Sequence, residues 1–167
     1  MATSNPIDFA ALAVVPVTEG GVGLRGAGGA AWRAALDALS QHRAERVLDV
    51  RVGFVTEDDI IKHVGISSFV AAGWLGSACA EPCILFFEGL EHAAHNTQRA
   101  VAQLVRGREL RGWRLHPGTR VFVAVNHSPE HLVRPGYPTP YSELLDALGV
   151  VYDLVPPLPC NPTGVVV

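Results

Sequence analysis

The chain has 167 residues, 49% hydrophobic and 17% charged, enough to bury one core and far from the composition of disordered segments. A formal net charge of -3 leaves no basic stripe of the kind that phosphate-backbone binding needs, so no nucleic acid partner is expected. The three cysteines, Cys79, Cys83 and Cys160, are too few and too odd for a disulfide framework. With no signal-peptide pattern and no membrane-length apolar run, the expectation is one cytoplasmic domain without membrane association.

In chain order, Val22, Gly23 and Leu24 read as a short strand, followed by a glycine-rich turn at Gly26, Ala27, Gly28 and Gly29 and a helix from Ala30 to Leu39. This is the strand, tight turn, helix arrangement of a phosphate loop. The plainer alternative is an ordinary turn, with Trp32 and Arg33 on an ordinary helix. Arg46 to Val52 forms the next apolar strand, followed by the acidic stretch Glu57, Asp58, Asp59 and an irregular region around Trp74 and Leu75. Ile84 to Phe87 is an unbroken apolar run ending in Glu88, which suits a central parallel strand that delivers a residue to a crevice. Ala93, Thr97, Ala100, Val101, Leu104 and Val105 recur at helical spacing, with His95, Gln98, Arg99 and Gln103 facing elsewhere. Gly112, Pro117 and Gly118 punctuate a polar connection before the buried strand Val121 to Val125, which stops at Asn126. A helix at Ser142 to Leu148 and a strand at Val150 to Val155 close the pattern.

Alternating strands and helices imply parallel crossovers, so the expected fold is α/β, a three-layer αβα sandwich around a mostly parallel five-stranded sheet. Residues 1–156 form the domain, and the proline-rich tail 157–167 is expected to be extended or loosely docked.

Five segments in order carry a family resemblance. "LRGAGGAAWRAAL" matches a Walker A loop, and "VLDVRVGFVTEDDI" the second strand and acidic turn. "WLGSACAEPCILFFEGLEHA" leads into Walker B, "QRAVAQLVRGRELRGWRLHPGTRVFVAVN" covers a helix, hairpin and sensor 1 strand, and "PTPYSELLDALGVVYDLVP" matches the segment that carries the arginine finger. Across residues 15–156 the chain resembles the core αβα subdomain of MoxR-like AAA+ ATPases, a P-loop NTPase fold.

The departures from that pattern bear on function. A phosphate loop cradles phosphates with backbone N–H groups, bridges them with a lysine and binds magnesium through a Ser/Thr hydroxyl. Here Gly26, Gly28 and Gly29 remain, but Trp32 stands at the lysine position and Arg33 at the hydroxyl position. At Walker B, Glu88 matches the magnesium-binding Asp and Gly89 the general-base Glu, whose loss removes a factor of about 100 to 10,000 from hydrolysis. Asn126 matches sensor 1; a strand-end Asn satisfying backbone groups reads equally well. Ala147 or Leu148 stands where the finger arginine belongs, and the chain ends where the family's helical lid begins. The resemblance therefore implies a degenerate, lidless AAA+ core. If the loop faces the Walker B strand, one hypothesis is an Arg33–Glu88 ion pair in place of the metal, in which case Arg33→Ala would destabilise more than Arg43→Ala.

Other candidates are plainer. His92 with His95, and His127 with His131, are at helical intervals but lack further ligands, and Glu91 is read as lying in an exposed turn. Cys79 and Cys83 read as buried thiols. Arg99, Arg106, Arg108, Arg111 and Arg114, with Trp113 among them, suggest a contact surface. The favoured function is a non-catalytic scaffold or regulatory subunit, with no catalytic residues, no bound metal and no cofactor. Its implied partner is an active MoxR-type ATPase, a von Willebrand factor A domain protein or another copy of itself. The alternatives are a sensor that binds ATP with magnesium without cleaving it, and a split or weak ATPase using Glu88, Glu91 and Asn126, completed by another subunit.

Overall fold

Six parallel strands in the order β1-β10-β2-β9-β6-β3 form the central sheet of the computed structural model. The structure describes residues 6–7, 11, 20–26, 28–43, 45–64, 68–125 and 140–154. The five expected strands are β2 (Gly21–Arg25), β3 (Val47–Arg51), β6 (Ile84–Glu88), β9 (Arg120–Val125) and β10 (Leu148–Leu154). A two-residue strand, β1 (Pro6–Ile7), extends the sheet beside Asp153 and Leu154 of β10. The proline-rich tail, Cys160, His127, His131 and Asn126 lie outside the described residues.

The three layers follow from the two-residue period of a strand. On β6, Ile84 and Phe86 face one cluster while Leu85 and Phe87 face the other; on β9, Phe122 and Ala124 oppose Val121 and Val123 in the same way. The first cluster is closed by Ala35, Leu36 and Leu39 of helix α1 (Gly28–Arg43). The second is closed by three helices, α3 (Gly73–Ala80), α4 (His95–Gly107) and α5 (Pro140–Ala147). Phe86, Phe87 and Phe122 are all at most 1% exposed, and burying each side chain contributes about 1.5 to 3 kcal/mol.

Several expectations are corrected. The region around Trp74 and Leu75 is not irregular: an antiparallel hairpin of β4 (Ile61–Val64) and β5 (Ser68–Ala71) leads into α3, with Leu75 fully buried and Trp74 edge-on to Phe87 at 5.6 Å. Glycines at the start and in the middle of "GWLGSACA", Gly73 and Gly76, and a short apolar run obscure a helix of only eight residues. The acidic stretch forms a one-turn helix, α2 (Glu57–Ile60), whose N-cap Thr56 and Asp59 make a reciprocal capping box. Gln98, assigned to the outward face of α4, is 5% exposed because its Nε2 donates to the Leu90 carbonyl at 2.8 Å.

At the N-terminal edge of the sheet, Arg120 is buried and pairs with Glu45 at 2.7 Å, its guanidinium 5.8 Å from the Phe122 ring. Beside it, the Thr119 hydroxyl donates to the Ala78 carbonyl at 3.0 Å and contacts the Cys83 sulfur at 3.8 Å. Of the two cysteines read as buried, Cys83 is buried and Cys79 only half-buried; desolvation pushes both thiols above their ordinary value.

Candidate functional site

The strands β2, β6 and β3 deliver their C-terminal residues to one rim, where open α/β sheets bind ligands. At β2 the chain turns at Gly26, with φ +135°, and α1 opens at Gly28. The helix thus takes up Gly28 and Gly29, two residues earlier than the glycine turn suggested, because the alanine-rich segment behind them is a strong helix former. Trp32 lies on α1, and its side chain is outside the described residues. Arg25, the last residue of β2, makes two hydrogen bonds to Asp153 of β10, at 2.5 and 3.0 Å, and that bonding raises its pKa.

Arg33 and Glu88 do not take each other as partners. The Arg33 guanidinium lies 3.8 Å from Asp49, and Glu88 lies 4.0 Å from Arg51, its register neighbour on β3. Alternation on β3 accounts for this: Asp49 and Arg51 stand on one face and each meets the opposite charge nearest to it. The Arg33 side chain is 64% exposed, so the expected large effect of Arg33→Ala loses its basis.

Gly89 occupies the left-handed region at φ +78° and begins a 3₁₀ turn, Leu90–His92. A second such turn, Val52–Phe54, follows β3. The two turns pack backbone to backbone: a β-carbon on Gly53 would stand 3.1 Å from the Gly89 carbonyl oxygen. Glu91, read as exposed, is buried, with 3% of its side chain accessible and His92 Nε2 3.7 Å from its carboxyl. The correction arises because the 3₁₀ turn rotates Glu91 under the loop while His92 points outward.

Between these turns lies a cleft of about 530 Å³ lined by Arg51, Phe54, Glu88, Glu91, His92 and the two glycines. Phe54 is 95% exposed. Sequence reading did not single out Phe54, because an aromatic after "VRVG" continues the apolar strand pattern; the glycine before it is the only local sign that the strand has ended.

Four of the five arginines in the series bond to other groups of the chain, with Arg108 alone turned inward and Arg106, Arg111 and Arg114 exposed. Arg108 ends α4 in the left-handed region, and its guanidinium donates to the carbonyls of His116 and Thr119 at 3.0 and 2.6 Å, while burial lowers its pKa. Arg111, in the turn of the hairpin β7 (Glu109–Leu110) and β8 (Trp113–Arg114), pairs with Glu57 and lies 5.2 Å over the Phe69 ring. Arg114 pairs with Glu109 at 2.8 Å, and Arg106 donates to the Glu143 carbonyl at 3.3 Å. Trp113 is half-buried against the second core cluster. At the position of the finger arginine, Ala147 is 8% exposed at the end of α5.

Along this rim the Arg33 guanidinium turns to Asp49, Glu88 faces Arg51, and α1 includes Gly28 and Gly29. Among the described residues, no cluster of three or more His, Cys, Asp or Glu could hold a metal ion, and no helix is long and apolar enough to cross a membrane.

No family model and no curated protein matches the chain. Solved structures do. NtrX from Brucella abortus in complex with ADP aligns with a TM-score of 0.64 at 17% identity, over 87% of this chain and 34% of that one. NtrX in a further crystal structure aligns with a TM-score of 0.62 at 15% identity, over 87% and 35%. Hsp104, in a closed state with ATPγS and casein, aligns with a TM-score of 0.54 at 12% identity, over 83% and 28%. The chain thus spans about a third of the length of the solved proteins it matches. The likeness establishes the fold: a mostly parallel α/β sheet with flanking helices, shared with NtrX.

Proposed function

We propose that this chain is a non-hydrolysing AAA+-like module that serves as a scaffold or regulatory subunit for a protein partner. The observation that carries this reading is Gly89. It stands where the general base would stand, has no side chain, and is held at φ +78° against Gly53, a backbone that disfavours any residue with a β-carbon. The rim has been rebuilt for packing, not merely stripped of one acid. The partner of choice, from the resemblance to MoxR-like proteins, is an active ATPase of that type, a von Willebrand factor A domain protein, or further copies of this chain.

A second reading rests on the turn at Gly26 in front of the 16-residue helix α1, together with the ADP complex of NtrX: a sensor that binds nucleotide without cleaving it. A third is a weak ATPase completed by another subunit, for which Glu88 at the end of β6 would be the available acid. Calorimetric titration with ATP and ADP, with and without magnesium, alongside a phosphate-release assay, separates them. The scaffold reading expects neither binding at millimolar nucleotide nor release. Micromolar, magnesium-dependent binding without release would move the conclusion to the sensor, and phosphate release would overturn both.

A further inference from the structure

Most arginines of this chain already have a carboxylate. Arg25, Arg33, Arg46, Arg51, Arg111, Arg114 and Arg120 each meet one within 4.0 Å, and Arg108 is spent on two backbone carbonyls. Two described arginines differ. Among the described residues no acid or carbonyl pairs with Arg99, and Arg106 gives only one long hydrogen bond, 3.3 Å, to the Glu143 carbonyl. Acids are not scarce in a chain with 16 Asp and Glu against 13 Lys and Arg, so two neighbouring guanidiniums without a carboxylate mark a surface of spare positive charge.

Both stand on the exposed face of α4, seven residues apart with the exposed Gln103 between them, while Ala100, Val101, Leu104 and Val105 turn to the core. That face borders a groove of about 340 Å³ lined by Arg99, Ala102, Gln103, Arg106 and Gly107 of α4 and by Glu143 of α5. We propose that the groove receives an acidic helix of a protein partner, with one carboxylate on Arg99 and a second on Arg106. Seven residues of helix rise about 10 Å. A partner helix with acids seven positions apart repeats that separation on a single face, whereas an extended chain places residues about 10 Å apart on opposite faces. Gln103 adds an amide that both donates and accepts, suited to a polar side chain of the partner between its two acids. Glu143 limits the choice of anion. Its carboxyl forms part of the α5 wall, so a compact phosphate filling the groove would meet it, whereas carboxylates held on a helix need reach only the α4 side. The net charge of -3 also opposes a nucleic acid strand. The protein source of these carboxylates rests on the scaffold reading; the cationic groove does not.

The test is an NMR titration of the full ¹⁵N-labelled chain, up to millimolar ligand, with a blocked alanine-rich helical peptide of about 20 residues carrying two glutamates seven positions apart. Its glutamine counterpart and inorganic phosphate are titrated beside it. Amide shifts are expected at Arg99, Gln103, Arg106 and Gly107 with the glutamate peptide, fading as salt rises, and not with the glutamine peptide. Arg99→Gln and Arg106→Gln should each weaken binding about two- to fivefold. Both positions are exposed and glutamine is a good helix former, so these variants keep the fold. Arg114→Gln, at an exposed arginine already paired with Glu109, should leave the affinity unchanged. No shifts on α4, equal shifts with the glutamine peptide, or an equal loss in Arg114→Gln would overturn the groove. Phosphate shifting these amides at lower concentration than the peptide would overturn the acidic helix as its occupant. Nucleotide is absent throughout, so a failed groove leaves the scaffold reading to its own calorimetric test.

Discussion

The two ends of the parallel sheet are built from similar groups and behave differently. At the N-terminal edge, Arg120 is 2% exposed, bonds twice to Glu45, and sits beside the bonded Thr119 hydroxyl. At the C-terminal rim Arg25, 32% exposed, still bonds Asp153 at 2.5 Å, but the pairs Arg33–Asp49 and Arg51–Glu88 are stretched to 3.8 and 4.0 Å, with both of those arginine side chains more than 60% exposed, and glycines at positive φ carry the turns. Desolvation explains the contrast: a charge taken out of water must be fully bonded, whereas a charge at an open rim keeps its water and needs no tight partner. The closed edge holds the fold, and the rim is where residues can change without unfolding it.

Breaking the closed edge should have the largest effect. Glu45→Ala leaves a buried guanidinium without its carboxylate and should cost about 3 kcal/mol, the low end for a buried pair, since Glu45 keeps some exposure. Urea denaturation measures it, and a loss comparable to that of a rim pair would erase the distinction. Gly89→Glu, which under the proposed reading returns an acid to the general-base position, should cost about 1 to 2 kcal/mol through its left-handed backbone. No phosphate release should appear, and any release would count against the scaffold reading.

The capping box supplies a pH-dependent comparison between ends of lesser weight. Hydrogen bonds from the Thr56 side chain and backbone hold the Asp59 pKa below its ordinary value. Its contribution is therefore fully present above the unfolded-state pKa and is lost as pH falls through the lower folded value. Asp59→Asn should flatten that part of the acid-unfolding curve, as read by circular dichroism across the acid range. The smallest effect belongs to Arg33→Ala: an exposed pair at 3.8 Å should contribute within about 0.5 kcal/mol, so its melting temperature should stay close to that of the unaltered chain.

Strands β6 and β9 were legible because an unbroken apolar run between polar ends has few other uses in a chain this short. Helix α4 was legible because its apolar face recurs at helical spacing. Helix α3 was not, since eight residues carry too little periodicity to separate a helix from a loop. The candidate site was half legible. Glu88 and Gly89 could be placed at a strand end from the pattern alone, while the partner of each charge could not, because pairing depends on which strand lies alongside.

By itself, then, the sequence determined the alternation of strands and helices and the layered core, since these rest on residue type and local spacing. Tertiary structure alone decided that Arg33 faces Asp49 and Glu88 faces Arg51, that Arg108 turns inward, that Glu91 is covered, and that Phe54 stands in water beside two carboxyl groups. Those are outcomes of strand order and of two turns packed together, contacts between residues about 35 positions apart along the chain, which no local pattern encodes.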